Sequence, residues 1–297
     1  MKNRLTNFGF WIGTNFMWRM PQPLVRRFFL GLADFLWVCN TKGARQLKLN
    51  LSRALNKLPE SQDIRHLSRQ GLRNYMRYYC ETFLLSRWSA DKIESAVRAE
   101  NLEPLRDALS TGGVILTLPH SGNWDLAGAW TTLKLKQIST VAERLKPESV
   151  FLKFLKLRTD LGIDVIPLTG TTGVYEFLRE RLNQGNIVPL LGDRDVAKSG
   201  MSNLFFGYKT SLPVGAALLA MDTGRPIFTC STWYDGDQLV ITFDEPMYVS
   251  AEKVPARERL KIAQQVSLTI AKRFEHHIAS HPQDWHMLQP VWKDLVA

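Results

Sequence analysis

The stretch "LTLPHSGNWDLAGAW", residues 116–130, sets a histidine and an aspartate five positions apart, where an apolar run breaks into a small polar turn. Neutral imidazole is the usual general base near neutral pH, so His120 is a candidate catalyst. A polar residue that merely ends a strand is the alternative. Five residues along a helix turn through about 140°. Direct pairing of His120 with Asp125 therefore requires the turn at "SGN" to fold the backbone back, and Gly122 and Asn123 suit such a turn. Asp125 as a cap of the following helix is the second possibility, and spacing leaves both open. Two further acids, Asp193 and Asp195 of "GDRD", follow the apolar run "NIVPLL". Cys39, Cys80 and Cys230 lie far apart with no CxxC or Cys/His spacing. This argues against a disulfide framework or zinc site and for a reducing compartment.

The elements that must hold these residues alternate in type. "GGVILTLPH" (112–120) reads as a buried strand, "NWDLAGAWTTLKL" as a helix, "QISTVAERL" as a strand and "PESVFLKFLKLRTDLG" as a helix ended by Gly162. "IDVIPL" and "NIVPLLGD" read as strands on either side of the helix "GVYEFLRERLNQG". The helix "LPVGAALLAMDTG" and the strands "PIFTCSTWY" and "DQLVITFDEPMYV" follow. Strands separated by helices of this length imply βαβ crossovers. The expected fold class is α/β, with a mostly parallel sheet flanked by helices and an antiparallel edge near the end. In such sheets, sites gather where strand C-termini meet helix N-termini. His120 and Asp193 both hold that kind of position. Residues 1–100 read as helical, with spacings such as Leu47, Leu49, Leu51, Leu55 and Leu58, then Leu67, Leu72, Tyr75, Tyr79, Phe83 and Leu84. The expected organisation is an N-terminal amphipathic helical region over 1–100 and an α/β core over 101–297, in one continuous domain.

The net charge of +10 is unevenly spread: residues 1–100 hold 17 Lys+Arg against 7 Asp+Glu, and residues 101–297 hold 21 against 21. The basic third also carries the aromatic clusters "FGFWIGTNFMWRM" (8–20) and "VRRFFLGLADFLWV" (25–38), with Arg19, Arg26 and Arg27 among them. Rings that enter an acyl boundary beside cations that meet anionic headgroups suit a membrane interface. Amphipathic helices packed on their own domain are the plainer alternative. No segment reaches the roughly 18 to 20 apolar residues of a spanning helix, so attachment to a membrane surface is expected rather than crossing. Nucleic acid is not an expected partner, because the charge accompanies apolar faces and no binding motif is present. The N-terminus lacks the order of a signal peptide, so no export is assigned.

The motif "HSGNWD" resembles the HxxxxD motif of glycerolipid acyltransferases, in the form found in the bacterial lipid A biosynthesis (lauroyl/myristoyl) acyltransferases and their relatives, the phosphatidylinositol mannoside acyltransferases. The segments "VAERLKPE", "RTDLGIDVIPL", "PLLGDRDVAKSG", "FFGYKTSLPVGAALLA" and "PQDWHMLQPVW" follow in order and extend the resemblance over most of the chain. "GDRD" and "DWHMLQPVW" look more like the mannoside enzymes. The resemblance implies an α/β acyltransferase with N-terminal helices on the cytoplasmic face of the cell membrane, acyl-CoA (palmitoyl-CoA) as co-substrate, a glycolipid acceptor, and neither metal nor cofactor.

Carried onto this chain, the resemblance makes His120 the general base that deprotonates a sugar hydroxyl, with Asp125 the second motif residue. It implies a further acid that orients the imidazole. Asp193, nearer the strand end, is the first choice for that role and Asp195 the second. Glu143 and Arg158 match positions at the acyl tunnel mouth and carbonyl region, where a plain surface ion pair is the alternative. Arg194 either meets a CoA phosphate or flanks the site. Asn123 and Trp124 count among the substrate-contacting residues, and backbone N–H groups after "HSGNW" are candidate oxyanion donors. Trp124, Leu126, Trp130, Phe151 and Phe154 are candidate linings of an acyl groove, although each is also an ordinary core residue. A lipid A acyltransferase and a non-catalytic membrane-binding α/β protein are the competing functions.

Overall fold

A computed structural model describes residues 20–144, 146–168, 170–250 and 254–297. The aromatic and basic segment 8–19, with Arg19, lies outside them. The centre of the fold is β2 (Val114–Leu118), whose five residues are all buried. A continuous apolar run is what a strand covered on both faces requires. It pairs in parallel with β5 (Ile187–Leu191) on one side and β8 (Ile227–Asp235) on the other. The strand β9 (Gln238–Phe243) returns antiparallel to β8 through a tight hairpin, and β1 (Val97–Glu100) pairs in parallel with β9. Beyond β5 lie β3 (Ser139–Ala142) and β4 (Asp164–Pro167), a parallel pair tied to β5 by the Ile138–Ile187 bridge and by the Thr140 hydroxyl donating to the Pro189 carbonyl. The antiparallel turn near the end is therefore present, but β9 is interior. Its outer neighbour β1 falls inside the segment read as helical, a correction that comes from a strand of four residues, "VRAE", too short and too polar to leave a pattern.

Helices cover both faces. Side chains of Ile115 and its like-facing neighbours pack with α1 (Gln22–Val38), α2 (Lys42–Ala54), α3 (Gln62–Leu85) and α10 (Ala256–Ser280). Leu116 and Leu118, one residue out of phase, pack with α5 (Glu103–Thr111) and α6 (Trp124–Lys134). The short α4 (Ala90–Ser95) leads into β1, α7 (Glu148–Asp160) joins β3 to β4, α8 (Val174–Asn183) joins β4 to β5, and α9 (Gly215–Thr223) precedes β8. A hairpin of β6 (Met201–Phe205) and β7 (Tyr208–Leu212) stands apart from the main sheet.

Helix starts follow local chemistry: Ser61, Ser89 and Asn123 each accept a first-turn N–H with their side chains. The N-terminal helices are integral to the core. Val25, Phe29 and Ala33 of α1 and Leu47 and Leu51 of α2 share one buried cluster with Ile115 and Trp285. Arg69 and Arg73 of α3 clasp Asp34 of α1 through paired hydrogen bonds, and these hold its carboxyl well below the usual carboxylate range. α1 leaves outside a set of large apolar side chains, Leu24, Phe28, Leu30, Phe35 and Val38, beside the exposed Arg27.

Candidate active site

His120 follows β2 by two residues, and Asp193 follows β5 by two, so parallel pairing of the strands brings them together. Gly192 makes this possible: a Cβ there would lie 2.6 Å from the Thr117 hydroxyl of β2. The Nδ1 of His120 is 2.6 Å from Asp193 Oδ1, and the His120 backbone N–H donates to Asp193 Oδ2 at 2.9 Å. The Trp285 indole N–H donates to the same Oδ2 at 2.9 Å. Asp193 is buried, which pushes its carboxyl up, but His120 and these donors outweigh burial and hold it below the ordinary value. An ionised Asp193 keeps a proton on His120 Nδ1. The basic lone pair is then on Nε2, and the ring lines a cavity of about 650 Å³.

The turn after His120 is held tightly. Gly122 has φ +56°, and a Cβ there would lie 2.7 Å from the Thr232 backbone, so no other residue fits. A segment near the C-terminus runs antiparallel to it. Ser121 bridges Trp285, the Gly122 N–H donates to the Asp284 carbonyl, and the His286 N–H donates to the His120 carbonyl. The His286 ring lies against Gly122, its Nε2 2.9 Å from the Gly122 carbonyl, and burial pushes it down to about 3, so it stays neutral. Trp124 completes the surround, edge-on to His120 at 5.6 Å between ring centroids.

Asp125 fills neither role left open by its spacing. Its Oδ1 accepts from Arg158 Nε at 2.7 Å and its Oδ2 from the Tyr78 hydroxyl at 2.8 Å, so it pairs with Arg158 and not with His120. The cap of α6 is Asn123, whose Oδ1 accepts the Leu126 N–H while its Nδ2 donates to Glu81. Asn123 is fully buried and doubly committed, so it shapes the turn and does not face the cavity. Glu81 in turn accepts from Arg77 and from the Tyr234 hydroxyl, tying α3 to the loop and to β8. Burial, and then Asp125, push the Tyr78 hydroxyl well up, which keeps it a donor.

The remaining acids separate clearly. Asp195 accepts the Ser199 and Gly200 N–H groups and the Ser211 hydroxyl, so it organises the 195–200 loop and makes no bond to His120. Glu143 pairs with Arg194 at 3.3 Å, partly exposed beside the cavity, whereas Arg158 forms a buried pair. Among the apolar candidates, Trp124, Phe151 and Phe154 line the cavity. Leu126 and Trp130 do not; they pack in the core with residues of β2 and β9, because they are turned about 200° and 120° around α6 from Trp124. Tyr78, Trp285 and His286 join the site without having been singled out by sequence, although "DWHMLQPVW" contains two of them. Among the described residues no group of three or more His, Cys, Asp or Glu is placed to hold a metal ion, and no helix is long and apolar enough to cross a membrane.

A family model described as "Bacterial lipid A biosynthesis acyltransferase" matches residues 2–294. The chain belongs to this family. Two relatives are named phosphatidylinositol mannoside acyltransferase. That of Mycolicibacterium smegmatis is 35% identical over 291 residues, covering 97% of this chain and 92% of the relative. That of Mycobacterium tuberculosis strain H37Rv is 37% identical over 254 residues, covering 84% and 77%. A solved structure, the 1-acyl-sn-glycerophosphate acyltransferase PlsC of Thermotoga maritima, aligns over 85% of this chain and 98% of its own at a TM-score of 0.34 and 12% identity, too distant to carry an argument. In this chain "HSGNWD" supplies His120 to the pair with Asp193, and its Asp125 goes to the buried pair with Arg158.

Proposed function

We propose that the chain transfers a long fatty acyl group from acyl-CoA to a mannose hydroxyl of a phosphatidylinositol mannoside, with His120 as general base. The observation that carries this is the His120–Asp193 pair opening on a cavity whose walls include Trp124, Phe151 and Phe154. At about 650 Å³ the cavity is within the range of small-molecule sites. The acceptor hydroxyl gives its proton to Nε2 as its oxygen attacks the thioester carbonyl carbon. The tetrahedral intermediate then expels the thiolate, which takes the proton back from the imidazolium and leaves as CoA. A thioester is already activated, so positioning, one proton transfer and oxyanion stabilisation suffice, with no acyl-enzyme and no metal or cofactor. Asp193 orients the ring and stabilises the imidazolium. In this reading Asp125 and Arg158 cancel each other's charge at the cavity wall, and Arg194, paired with Glu143, would meet a phosphate of CoA.

The reading places the chain peripherally on the cytoplasmic face of the cell membrane, where the exposed Leu24, Phe28 and Phe35 of α1 would enter the acyl boundary beside Arg26 and Arg27. The full chain is incubated with palmitoyl-CoA and phosphatidylinositol mannosides, and the products are weighed by mass spectrometry. A glycolipid heavier by one palmitoyl group is expected. Product only from a lipid A precursor would move the acceptor to that named by the family description, and no product from any acyl-CoA would end the enzymatic reading.

A further inference from the structure

The tail motif "DWHMLQPVW" closes over the dyad. Its Trp285 is fully buried among Phe205, Phe206 and Trp292, at 6.2 to 6.4 Å between ring centroids. Filling that space needs only an apolar ring. The indole N–H is nevertheless spent on Asp193 Oδ2, the oxygen not paired with the His120 imidazole. Three donors thus grip the two oxygens: His120 Nδ1 at 2.6 Å, His120 N at 2.9 Å and Trp285 Nε1 at 2.9 Å. The main chain around Trp285 is locked to the same turn, through its bridge to Ser121 and through the bonds that Asp284 and His286 make on either side.

We infer that Trp285 is a positioning residue of the transfer reaction: its indole N–H fixes the plane of the Asp193 carboxylate, and so the orientation in which His120 presents Nε2 to the acceptor hydroxyl. The inference rests on the reading of His120 as base. A carboxylate held only by its partner imidazole and one backbone N–H can swing about its Cβ–Cγ bond. The indole N–H removes that freedom and also draws charge from the carboxylate. Without it, more negative charge faces the imidazole, and protonated His120 is favoured. Other titratable groups at this cavity are the neutral His286, the Asp125–Arg158 and Glu143–Arg194 pairs, Asp195, Cys230, Tyr175, and Tyr75, Tyr78 and Tyr79 of α3, with Asp284 next to Trp285. Changing Trp285 leaves all of these in place.

The test uses the full chain with ¹⁵N-labelled histidine, the His120 signals being identified by their loss in His120→Ala. Two variants are compared with the parent chain: Trp285→Phe, and a chain carrying 3-benzothienylalanine at position 285, which keeps the ring shape and replaces N–H by sulfur. In both, the midpoint of the His120 titration should rise by about one pH unit, the worth of one hydrogen bond to a charged group. The acid limb of the transfer profile should move with it, kcat on the plateau should fall about tenfold, and KM for palmitoyl-CoA should hold. An unmoved midpoint with normal kcat in the folded benzothienyl chain would reduce Trp285 to a space-filling residue and leave the base assignment standing. Transfer that survives His120→Ala would overturn both. The spectroscopic arm needs no substrate, so the two failures are distinguishable.

Discussion

The imidazole of His120 and the carboxylate of Asp193 meet at 2.6 Å although 73 residues separate them. Parallel pairing of β2 with β5 is what aligns them, since each residue sits two positions past the end of its strand. Asp193→Asn should therefore lower transfer by orders of magnitude, because an amide can hold the ring but cannot stabilise the imidazolium. Asp195→Asn should cost far less, since Asp195 serves its own loop. Steady-state transfer rates of the two variants, side by side, check this; the reverse order would contradict it.

Asp125 and Arg158 are both largely enclosed, with side chains 3% and 16% exposed. Removing one partner of such a pair strands the other, at a typical cost of 3 to 5 kcal/mol, of which the upper part is discounted here for residual solvent access. Asp125→Ala should therefore lower stability by roughly 3 kcal/mol in denaturant unfolding, and replacing both residues together by Asp125→Leu and Arg158→Leu should recover part of the loss. A single variant as stable as the parent would show that the pair is solvated.

Asp284 is fully buried, and burial pushes its carboxyl up to about 7 against the hydrogen bonds from Asn74 and Gln283. A folded-state value above the unfolded one means that the folded chain binds the extra proton. Stability from this group is then full below about pH 4, and is lost as pH rises toward 7. Asp284→Asn removes the titration while its backbone carbonyl still holds Gly122. The variant should gain in melting temperature relative to the parent as pH rises from 5 to 8. A difference that is flat with pH would refute the account of Asp284.

The α1 helix has two faces, so the membrane claim cannot be tested by deleting it. Val25, Phe29 and Ala33 are core residues whose loss would unfold the chain, whereas Phe28 and Phe35 are exposed. Replacing the latter pair, Phe28→Ser with Phe35→Ser, should weaken binding to anionic vesicles with little change in melting temperature. Salt should weaken binding by the parent chain only in part, because screening acts on charges and not on buried rings. Undiminished vesicle flotation of the double variant would refute the role of this face.

Sequence carried the site as far as local pattern reaches. "VILTL" ahead of His120 is apolar but for Thr117, "SGN" is turn chemistry, and the helix after it starts at a cap, so a strand-to-helix junction with His120 at its rim was legible. So was Asp193 at the end of a second strand. What local pattern does not contain is the partner across the fold. Asn123 belongs to Glu81, Asp125 to Arg158 and Tyr78, and Asp193 to Trp285, at separations of 33 to 92 residues. Helix phase is hidden in the same way: Trp124 faces the cavity and Leu126 the core, though both are apolar and two residues apart. The edge strand β1 escaped because four residues, two of them charged, hold no period to detect.

The central claim is that His120 is the base of acyl transfer, and His120→Ala tests it most directly when transfer, palmitoyl-CoA affinity and melting temperature are measured on one preparation. A positioned base is worth roughly two to four orders of magnitude. Transfer should fall by that much, while donor affinity and the fold persist, because the cavity walls and Asp193's own hydrogen bond from Trp285 remain. Near-normal transfer by folded His120→Ala protein would contradict the claim.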